Sequence, residues 1–216
     1  APPGVQRPDA ASASPRRRPR GVGGVQKKGL PERLERIKNE HPGKRVLTYY
    51  QDEARFGQHG TLTRVWAKVG SRPPAVRQTQ YEYLYVFSAV CPETGEASGL
   101  VTPNVNTDTM NAFLEQFSAE LPPDVHAAVV LDRAGWHTAK ALKVPANVTL
   151  VLLPPKSPEL NPVENLWHYL RSHYWSNRLY ETWEDLKKAA TEAWRKVCLV
   201  PELIKTVCAD TAVRAN

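Results

Sequence analysis

Three acidic residues, Asp52, Asp132 and Glu164, lie far apart in the chain and carry carboxylates that could act together. Hard divalent cations prefer oxygen ligands, and three carboxylates can hold a pair of such ions. A metal pair of this kind cleaves and rejoins phosphodiesters by in-line displacement. Considered one at a time, each residue is more simply interpreted as a helix cap or a surface charge. The chemistry therefore depends on whether the fold brings the three carboxylates together.

Two of the three carboxylates follow segments with the composition of buried strands. Residues 46–51 are rich in β-branched and aromatic side chains, so we predict a strand that delivers Asp52 at its end. Residues 127–131 are wholly apolar, which predicts a short buried strand that ends just before Asp132. Both aspartates are thus expected at strand ends.

Glu164 is predicted to lie in the first turn of a helix. Asn161 can cap this helix, and Pro162 suits its first position. Because Glu164 follows Asn161 by three residues, it could simply close a capping box. Against that, Glu164 and Arg171 share a face beside the apolar stripe of residues 163–170, and this face could line a cleft. Both roles are compatible with the sequence.

The remaining pattern predicts an α/β fold with a mixed central sheet flanked by helices. Further strands are expected at residues 64–68, 83–90, 97–100 and 148–153, and helices at residues 31–39, 107–121, 138–142 and 182–197. The strands before residue 101 are expected to form an antiparallel meander. The helix at 107–121 should then cover one face of the sheet.

Four segments are distinctive in their order along the chain: residues 50–57, 64–67, 131–137 and 153–167. Together they resemble the DDE catalytic domain of bacterial transposases of the insertion-sequence 630 family, relatives of the mariner transposons. The resemblance extends over about residues 29–208. It implies a ribonuclease-H-like fold, in agreement with the mixed sheet expected from the pattern.

The resemblance implies that Asp52, Asp132 and Glu164 are catalytic ligands for two Mg²⁺ or Mn²⁺ ions. One ion would activate a water or a DNA 3′-hydroxyl, and the other would stabilise the leaving oxygen. The implied activity is DNA strand cleavage and strand transfer of an insertion sequence. Its partners would be transposon ends and target DNA, with no small-molecule substrate. A homodimer that pairs two ends is compatible with this function.

The chain departs from the family pattern in two residues and one module. Arg133 stands where the family usually has Asn or Gln, and Lys156 where it has an aromatic residue. The Arg133 cation could compete with metal ions. The resemblance also implies helix-turn-helix modules ahead of the domain, for which these residues leave no room. One alternative is therefore a truncated or decayed transposase relic that binds DNA without catalysis, and another is a basic DNA-binding accessory protein.

Several other residues are candidates for supporting roles. Glu53 follows Asp52 in a strand, so it should point to the opposite face and be structural. Glu159 could replace Glu164 as third ligand, although the family motif favours Glu164. His137 could contact the scissile phosphate or cap a turn. The other candidate DNA contacts are cations, which could equally be ordinary surface: Arg55, Lys156, Arg171, Arg16, Arg17 and Arg18.

The net charge of +7 is concentrated in the first part of the chain. Residues 1–45 contain 12 Lys and Arg against 4 Asp and Glu, so the remainder is nearly neutral. Residues 1–28 are rich in Pro, Arg and Gly, which predicts a disordered arm that could follow DNA phosphates or be a solvated tail. We expect a short lead-in helix within residues 29–45 and the catalytic domain in residues 46–210.

The cysteines and the apolar segments bear on the cellular compartment. Cys91, Cys198 and Cys208 have neither an even disulfide framework nor the short spacing of a zinc site, which favours reduced thiols. No apolar segment has the length of a signal-peptide core or of a membrane span. We therefore expect a cytoplasmic, nucleoid-associated bacterial protein without a membrane partner.

Overall fold

The central sheet contains five strands in the order β3-β2-β1-β4-β5. The computed structural model describes residues 23–58, 68–71, 82–155 and 157–209. Strand β2 is antiparallel to β1 and to β3, whereas β4 is parallel to β1 and to β5. The sheet is therefore mixed, as predicted. Its strands are β1 (Arg45–Gly57), β2 (Tyr83–Val90), β3 (Ala97–Thr102), β4 (Val125–Leu131) and β5 (Val148–Leu152).

Helices cover both faces of the sheet. Side chains alternate along β1, so Ala54 and Phe56 point to one face and Leu47 and Tyr49 to the other. The first, the α3 face, packs against α3, α4 and α5, and the second, the α2 face, packs against α2. The helices are α1 (Gly23–Glu40), α2 (Thr107–Glu120), α3 (Val163–Leu170), α4 (Trp183–Cys198) and α5 (Pro201–Val207).

Helix α2 begins at a reciprocal capping box. Oδ1 of Asn106 accepts a 2.9 Å hydrogen bond from the backbone N–H of Thr109. Oγ1 of Thr109 in turn accepts a 2.9 Å hydrogen bond from the backbone N–H of Asn106. The box satisfies backbone donors that the helix itself leaves free. Phe113 and Phe117 then lie buried on the α2 face, which confirms the predicted amphipathic helix.

Helix α4 approaches the sheet at a glycine. A Cβ atom added to Gly99 in β3 would overlap the indole ring of Trp194 in α4. Only glycine therefore allows the helix to lie this close to the strand. Helix α5, which the sequence analysis did not predict, follows α4 after a short turn and buries Ile204 on the same face.

Helix α1 is longer than the helix predicted at residues 31–39, since it covers Gly23–Glu40. Ile37 is buried against Val130 of β4 and Val151 of β5. Nη1 of Arg33 also donates a 3.1 Å hydrogen bond to the carbonyl oxygen of Leu152. The helix is thus fixed to the parallel edge of the sheet.

Two local predictions were wrong. Asp52 does not end its strand, because β1 continues to Gly57 through its pairing with β2. Residues 138–142 form no helix, since five residues are too few for an independent helix; the chain instead makes a 3-10 turn just before them, at Gly135–His137. The predicted strand at residues 64–68 lies almost entirely outside the described residues.

Five α-helices and three cysteines lie within the described residues. No helix among them is both long enough and apolar enough to cross a membrane. Cys91, Cys198 and Cys208 are all buried free thiols.

Candidate active site

The register of the parallel strands places two aspartates side by side. The pairing of β1 with β4 ends at Tyr50 opposite Val130. Two residues further along the chain lie Asp52, still within β1, and Asp132, the first residue after β4, at the same level of the sheet. On the other side of β1, Asp52 lies opposite Ser88 of β2. Although Asp52 is inside its strand, it lies just beyond the end of the parallel ladder.

Asn161 joins the beginning of α3 to this part of β1. Its Nδ2 donates a 2.9 Å hydrogen bond to the carbonyl oxygen of Gln51, and its Oδ1 accepts one of 3.2 Å from the N–H of Val163. Asn161 therefore satisfies a helix N–H, as predicted, while the helix itself begins one residue later than expected. Glu164 lies exposed in the first turn and does not close the predicted capping box.

One cavity of about 310 Å³ is lined by all three candidate carboxylates. Asp52 and Asp132 contribute from the sheet, and Glu164 contributes from α3. Glu159 instead lines the neighbouring, larger cavity beside α1, to which Glu164 also contributes. Within the described part of the chain, no three His, Cys, Asp or Glu side chains converge closely enough to hold a metal ion. The structure thus brings Asp52, Asp132 and Glu164 to one cavity without closing a complete ligand set.

Asp52 has an unusual electrostatic environment. Burial raises the pKa of its carboxyl group to about 7, although the Trp167 hydrogen bond opposes this shift. The nearby carboxylates of Glu53 and Glu164 raise the pKa further. Nε1 of Trp167 donates its 2.8 Å bond to Oδ2 of Asp52. The carboxyl group is therefore oriented by the Trp167 indole and by the backbone of Glu53, and a cation in the cavity would favour its ionised form.

Asp132 is held mainly through one oxygen. Its Oδ1 accepts a 2.9 Å hydrogen bond from the N–H of Ala134 and a 2.8 Å hydrogen bond from Nδ1 of His137. The Asp132 side chain is 62% exposed, whereas that of His137 is only 1% exposed. Neither hydrogen bond uses Oδ2, so this oxygen is available for a ligand in the cavity.

His137 connects Asp132 to Glu53, whose importance the sequence did not reveal. Nε2 of His137 donates a 2.9 Å hydrogen bond to Oε1 of Glu53. Oε1 also accepts from Nε2 of Gln51 at 2.9 Å and from Nε1 of Trp136 at 3.2 Å. Glu53 points to the α2 face, as its position next to Asp52 predicted. The buried ring of His137 has no surface for a phosphate contact in this arrangement.

The pKa of His137 reflects both its burial and its partners. Burial alone would lower the pKa of the imidazole, but the Glu53 hydrogen bond and the Glu53 and Asp132 carboxylates raise it above its ordinary value. Both ring nitrogens face carboxylate oxygens, which only accept hydrogen bonds when ionised. The geometry therefore suits a doubly protonated ring between two carboxylates.

The candidate cations have different positions. Arg133 lines the cavity, and its Nε donates a 3.0 Å hydrogen bond to the carbonyl oxygen of Leu153. Arg55 is exposed beside β2, with its guanidinium carbon 5.2 Å from the ring centre of Tyr83. Arg171 begins the π-helical turn Arg171–Trp175 after α3. Four of the predicted DNA contacts lie outside the described residues: Lys156, Arg16, Arg17 and Arg18.

Two curated proteins share sequence with this chain. The uncharacterised protein y4pE/y4sA of Sinorhizobium fredii is 42% identical over 125 residues, which cover 58% of this chain and 93% of that protein. The transposable element Tc3 transposase of Caenorhabditis elegans is 41% identical over 51 residues, which cover 23% of this chain and 16% of that protein.

Solved structures with a similar fold include two assemblies of the Mos1 transposase. The mariner Mos1 paired end complex with Mg matches with a TM-score of 0.56 and 17% identity, over 95% of this chain and 64% of that chain. A pre-cleavage Mos1 transpososome matches with a TM-score of 0.54 and 16% identity, over 93% and 66%. The chain therefore spans about two thirds of the length of these Mos1 chains.

The fold and the matched sequence family point to the same kind of protein. The mixed five-stranded sheet with flanking helices and its likeness to the Mos1 structures confirm the predicted ribonuclease-H-like fold. The sequence model of the DDE superfamily endonuclease domain matches residues 47–187, which contain Asp52, Asp132 and Glu164. This match extends over more than half of the chain. The chain belongs to the DDE superfamily of endonucleases.

Proposed function

We propose that this chain is the catalytic domain of a transposase that cleaves DNA and transfers the cut strand of an insertion sequence. The observation that carries the proposal is the single cavity lined by Asp52, Asp132 and Glu164. Membership of the endonuclease superfamily and the likeness to the Mos1 transposase support it. The specific assignment to the insertion-sequence 630 family rests on the motif resemblance.

The donor set fits two Mg²⁺ or Mn²⁺ ions, since all three side chains offer carboxylate oxygens. The Mos1 complexes include forms with Mg and with Mn. When bound, such ions would activate the attacking water or 3′-hydroxyl and stabilise the leaving oxygen. The raised pKa of Asp52 also fits, because burial and neighbouring carboxylates disfavour its charge and a cation would offset both.

The protein's own residues prepare the ligand oxygens. Trp167 occupies Oδ2 of Asp52, and His137 and Ala134 share Oδ1 of Asp132. Asp132 therefore keeps Oδ2 for a ligand while its Oδ1 fixes the orientation of the side chain. Glu164 is exposed at the beginning of α3 and completes the set from the third side.

DNA contacts are assigned to cations near the cavity and in the arm. Arg171 follows α3, and Arg55 is exposed near the end of β1. Lys156 follows Pro154 and Pro155, which line the cavity. The excess of Lys and Arg before residue 46 would add attraction to phosphates that does not depend on sequence, with Arg16, Arg17 and Arg18 at its centre. Transposon ends and target DNA would be the partners, with a homodimer pairing two ends.

A decayed relic that binds DNA without cutting it is a weaker alternative. Loss of selection for catalysis gives no reason for the three carboxylates to share one cavity, or for buried donors to orient two of them. Arg133 is the feature that favours the relic, because its cation lies in the same cavity. Its guanidinium is tied to a backbone carbonyl by Nε, which limits its movement toward the carboxylates.

Nicking of a supercoiled plasmid in Mn²⁺ tests the proposal. We expect nicking by the parent chain and a loss of more than about 100-fold in Asp132→Asn and Glu164→Gln, since losing a metal ligand should cost more than the roughly 10- to 100-fold lost with residues that only orient one. Glu159→Gln is the matched control, because Glu159 lies on the same segment but not in the shared cavity, and it should nick at the parent level. Salt-sensitive DNA binding without nicking in any metal would favour the relic instead.

A further inference from the structure

A continuous chain of hydrogen bonds leads from inside the protein to Asp132. Oε1 of Glu53 accepts from Nε2 of His137, and Nδ1 of His137 donates to Oδ1 of Asp132. Gln51 and Trp136 hold the far end by donating to the same Glu53 oxygen. The side chains of Glu53 and His137 are only 7% and 1% exposed. This series of hydrogen bonds therefore ends at the cavity, but its other side chains are almost wholly buried beneath it.

We propose that Glu53 and His137 are positioning residues that fix the rotamer of Asp132 and thereby keep its Oδ2 available for a divalent cation. The inference rests on the proposed function, since it concerns the same cavity. Glu53 does not reach the cavity, because it points to the α2 face while Asp52 points to the α3 face. Its hydrogen-bonded link to Asp132 therefore passes through His137.

The ring of His137 is fixed from two sides. Each of its nitrogens has a carboxylate oxygen within 2.9 Å, so rotation of the ring would break both hydrogen bonds. Ligand-orienting hydrogen bonds of this kind are the usual outer shell of metal sites. Here the ring orients a carboxylate rather than serving as a ligand itself. The position of Oδ1 of Asp132 is then determined by the ring and by the N–H of Ala134 together.

Asp132 needs this support because it is otherwise exposed. Its side chain lies just after the end of β4 and is 62% exposed, whereas that of Asp52 is largely buried. An exposed carboxylate samples several rotamers, and each wrong rotamer lowers the fraction of protein ready to bind an ion. The His137 bond removes this freedom before any ion arrives. Buried polar pairs are also poor contributors to stability compared with apolar packing, so stability alone is a weak reason for this network.

A merely structural role for the network makes a different prediction. Glu53 and His137 could serve only to attach the turn Gly135–His137 to β1. In that case their variants would lower the melting temperature and leave the affinity of the folded protein for Mn²⁺ unchanged. Tyr49→Phe is a matched control, because it removes a hydrogen bond to the Glu96 carboxylate elsewhere on the same strand.

The test measures the Kd for Mn²⁺ of the full chain without DNA, from the electron paramagnetic resonance signal of free Mn²⁺. Circular dichroism at the same temperature verifies that each variant is folded. His137→Ala and Glu53→Ala should raise the Kd about 10- to 100-fold, the range typical of outer-shell residues. Glu53→Gln keeps an acceptor for the ring and should recover most of the affinity. Tyr49→Phe should leave the Kd at the parent value.

The outcomes separate this inference from the proposed function. Parent-like Mn²⁺ affinity in folded Glu53→Ala and His137→Ala, together with its loss in Asp132→Asn, would overturn the positioning role and leave the proposed function intact. Equal weakening by Glu53→Gln and Glu53→Ala would also contradict it, because the acceptor would then not matter. A parent chain that binds no Mn²⁺ would overturn the proposed function and this inference together.

Discussion

The indole Nε1 of Trp167 donates a 2.8 Å hydrogen bond to Oδ2 of Asp52, although the two residues are 115 positions apart in the sequence. Trp167 belongs to the same helix as Glu164, and its ring is otherwise buried in the core of the α3 face. This one bond therefore links the position of the helix to the orientation of a candidate metal ligand. A change in the packing of α3 should therefore change the orientation of the Asp52 carboxylate.

Trp167→Phe should impair both stability and nicking. The Asp52 carboxyl group would lose its donor, which we expect to cost about 1–3 kcal/mol in the free energy of unfolding. Because the Trp167 bond opposes the rise in the pKa of Asp52, its loss should raise that pKa further and weaken Mn²⁺ binding at neutral pH. Urea unfolding and plasmid nicking measure the two effects.

Trp175→Phe is the matched control for this variant. The Trp175 ring is also buried and stacks on Phe56, but among the described residues its Nε1 has no hydrogen-bond partner. The control should lower stability through lost packing while its Mn²⁺ affinity remains at the parent level. Equal losses of Mn²⁺ affinity in both variants would show that packing, not the hydrogen bond, controls Asp52.

The stability of the metal-free protein should fall as the pH rises toward neutrality. The pKa of Asp52 is about 7 in the folded protein, against about 4 for an ordinary aspartate in an unfolded chain. Unfolding therefore releases a proton between these values, so the contribution of Asp52 is fully present below about pH 4 and is lost as the pH passes 7.

Asp52→Asn isolates this contribution from those of other titrating groups, including His137. In EDTA, the melting temperature of the variant relative to the parent should be higher at pH 8 than at pH 5, because the variant has no charge to bury. Thermal scans at the two pH values measure the difference. A difference that is the same at both values would mean that Asp52 ionises normally in the folded protein.

Arg133→Asn should strengthen Mn²⁺ binding. Arg133 lines the cavity of the three carboxylates, and its positive charge should repel a divalent cation. Arg133 is exposed, so its charge is screened by water; at an effective dielectric constant near 80, removing a unit charge about 6 Å from a divalent ion changes binding by about 1–2 kcal/mol, or roughly tenfold. Lys188→Gln, which removes an exposed charge from α4, is the control and should have no effect on the Mn²⁺ Kd. Unchanged affinity in Arg133→Asn would exclude electrostatic competition by this residue.

Gly99→Ala should destabilise the fold without affecting the ligands directly. A Cβ at this position overlaps the Trp194 ring, and overpacking of this kind typically costs about 1–3 kcal/mol. Trp194→Leu should relieve the overlap, so the double variant should be more stable than the sum of the single effects predicts. Urea unfolding of the four proteins measures this coupling, and strict additivity would contradict the close approach of α4 to β3.

The local sequence predicted much of the framework of the site. Apolar runs before Asp132 and around Asp52 identified two central strands, and the stripe containing Trp167 identified the helix of Glu164. These features depend on alternation and periodicity, which a single segment carries. The family resemblance then singled out the three carboxylates that the structure brings to one cavity, whose spacing alone would not have distinguished them from surface charges.

The connections between these elements could not be predicted from local patterns. The length of β1 depends on its pairing with β2, and the partner of Glu53 is a histidine 84 residues away. Alternation correctly directed Glu53 to the α2 face, but nothing near it in sequence indicated that His137 would meet it there. Such contacts arise from packing of distant segments, which periodicity does not encode.

The most direct test of the proposed catalytic site is an anomalous-difference map from crystals of the chain soaked in Mn²⁺. The proposed function predicts one or two Mn²⁺ peaks bounded by the carboxylates of Asp52, Asp132 and Glu164, with Oδ2 of Asp132 as a ligand. Carboxylates that point apart with no anomalous peak between them, at Mn²⁺ concentrations that support nicking, would contradict the proposed metal-dependent site.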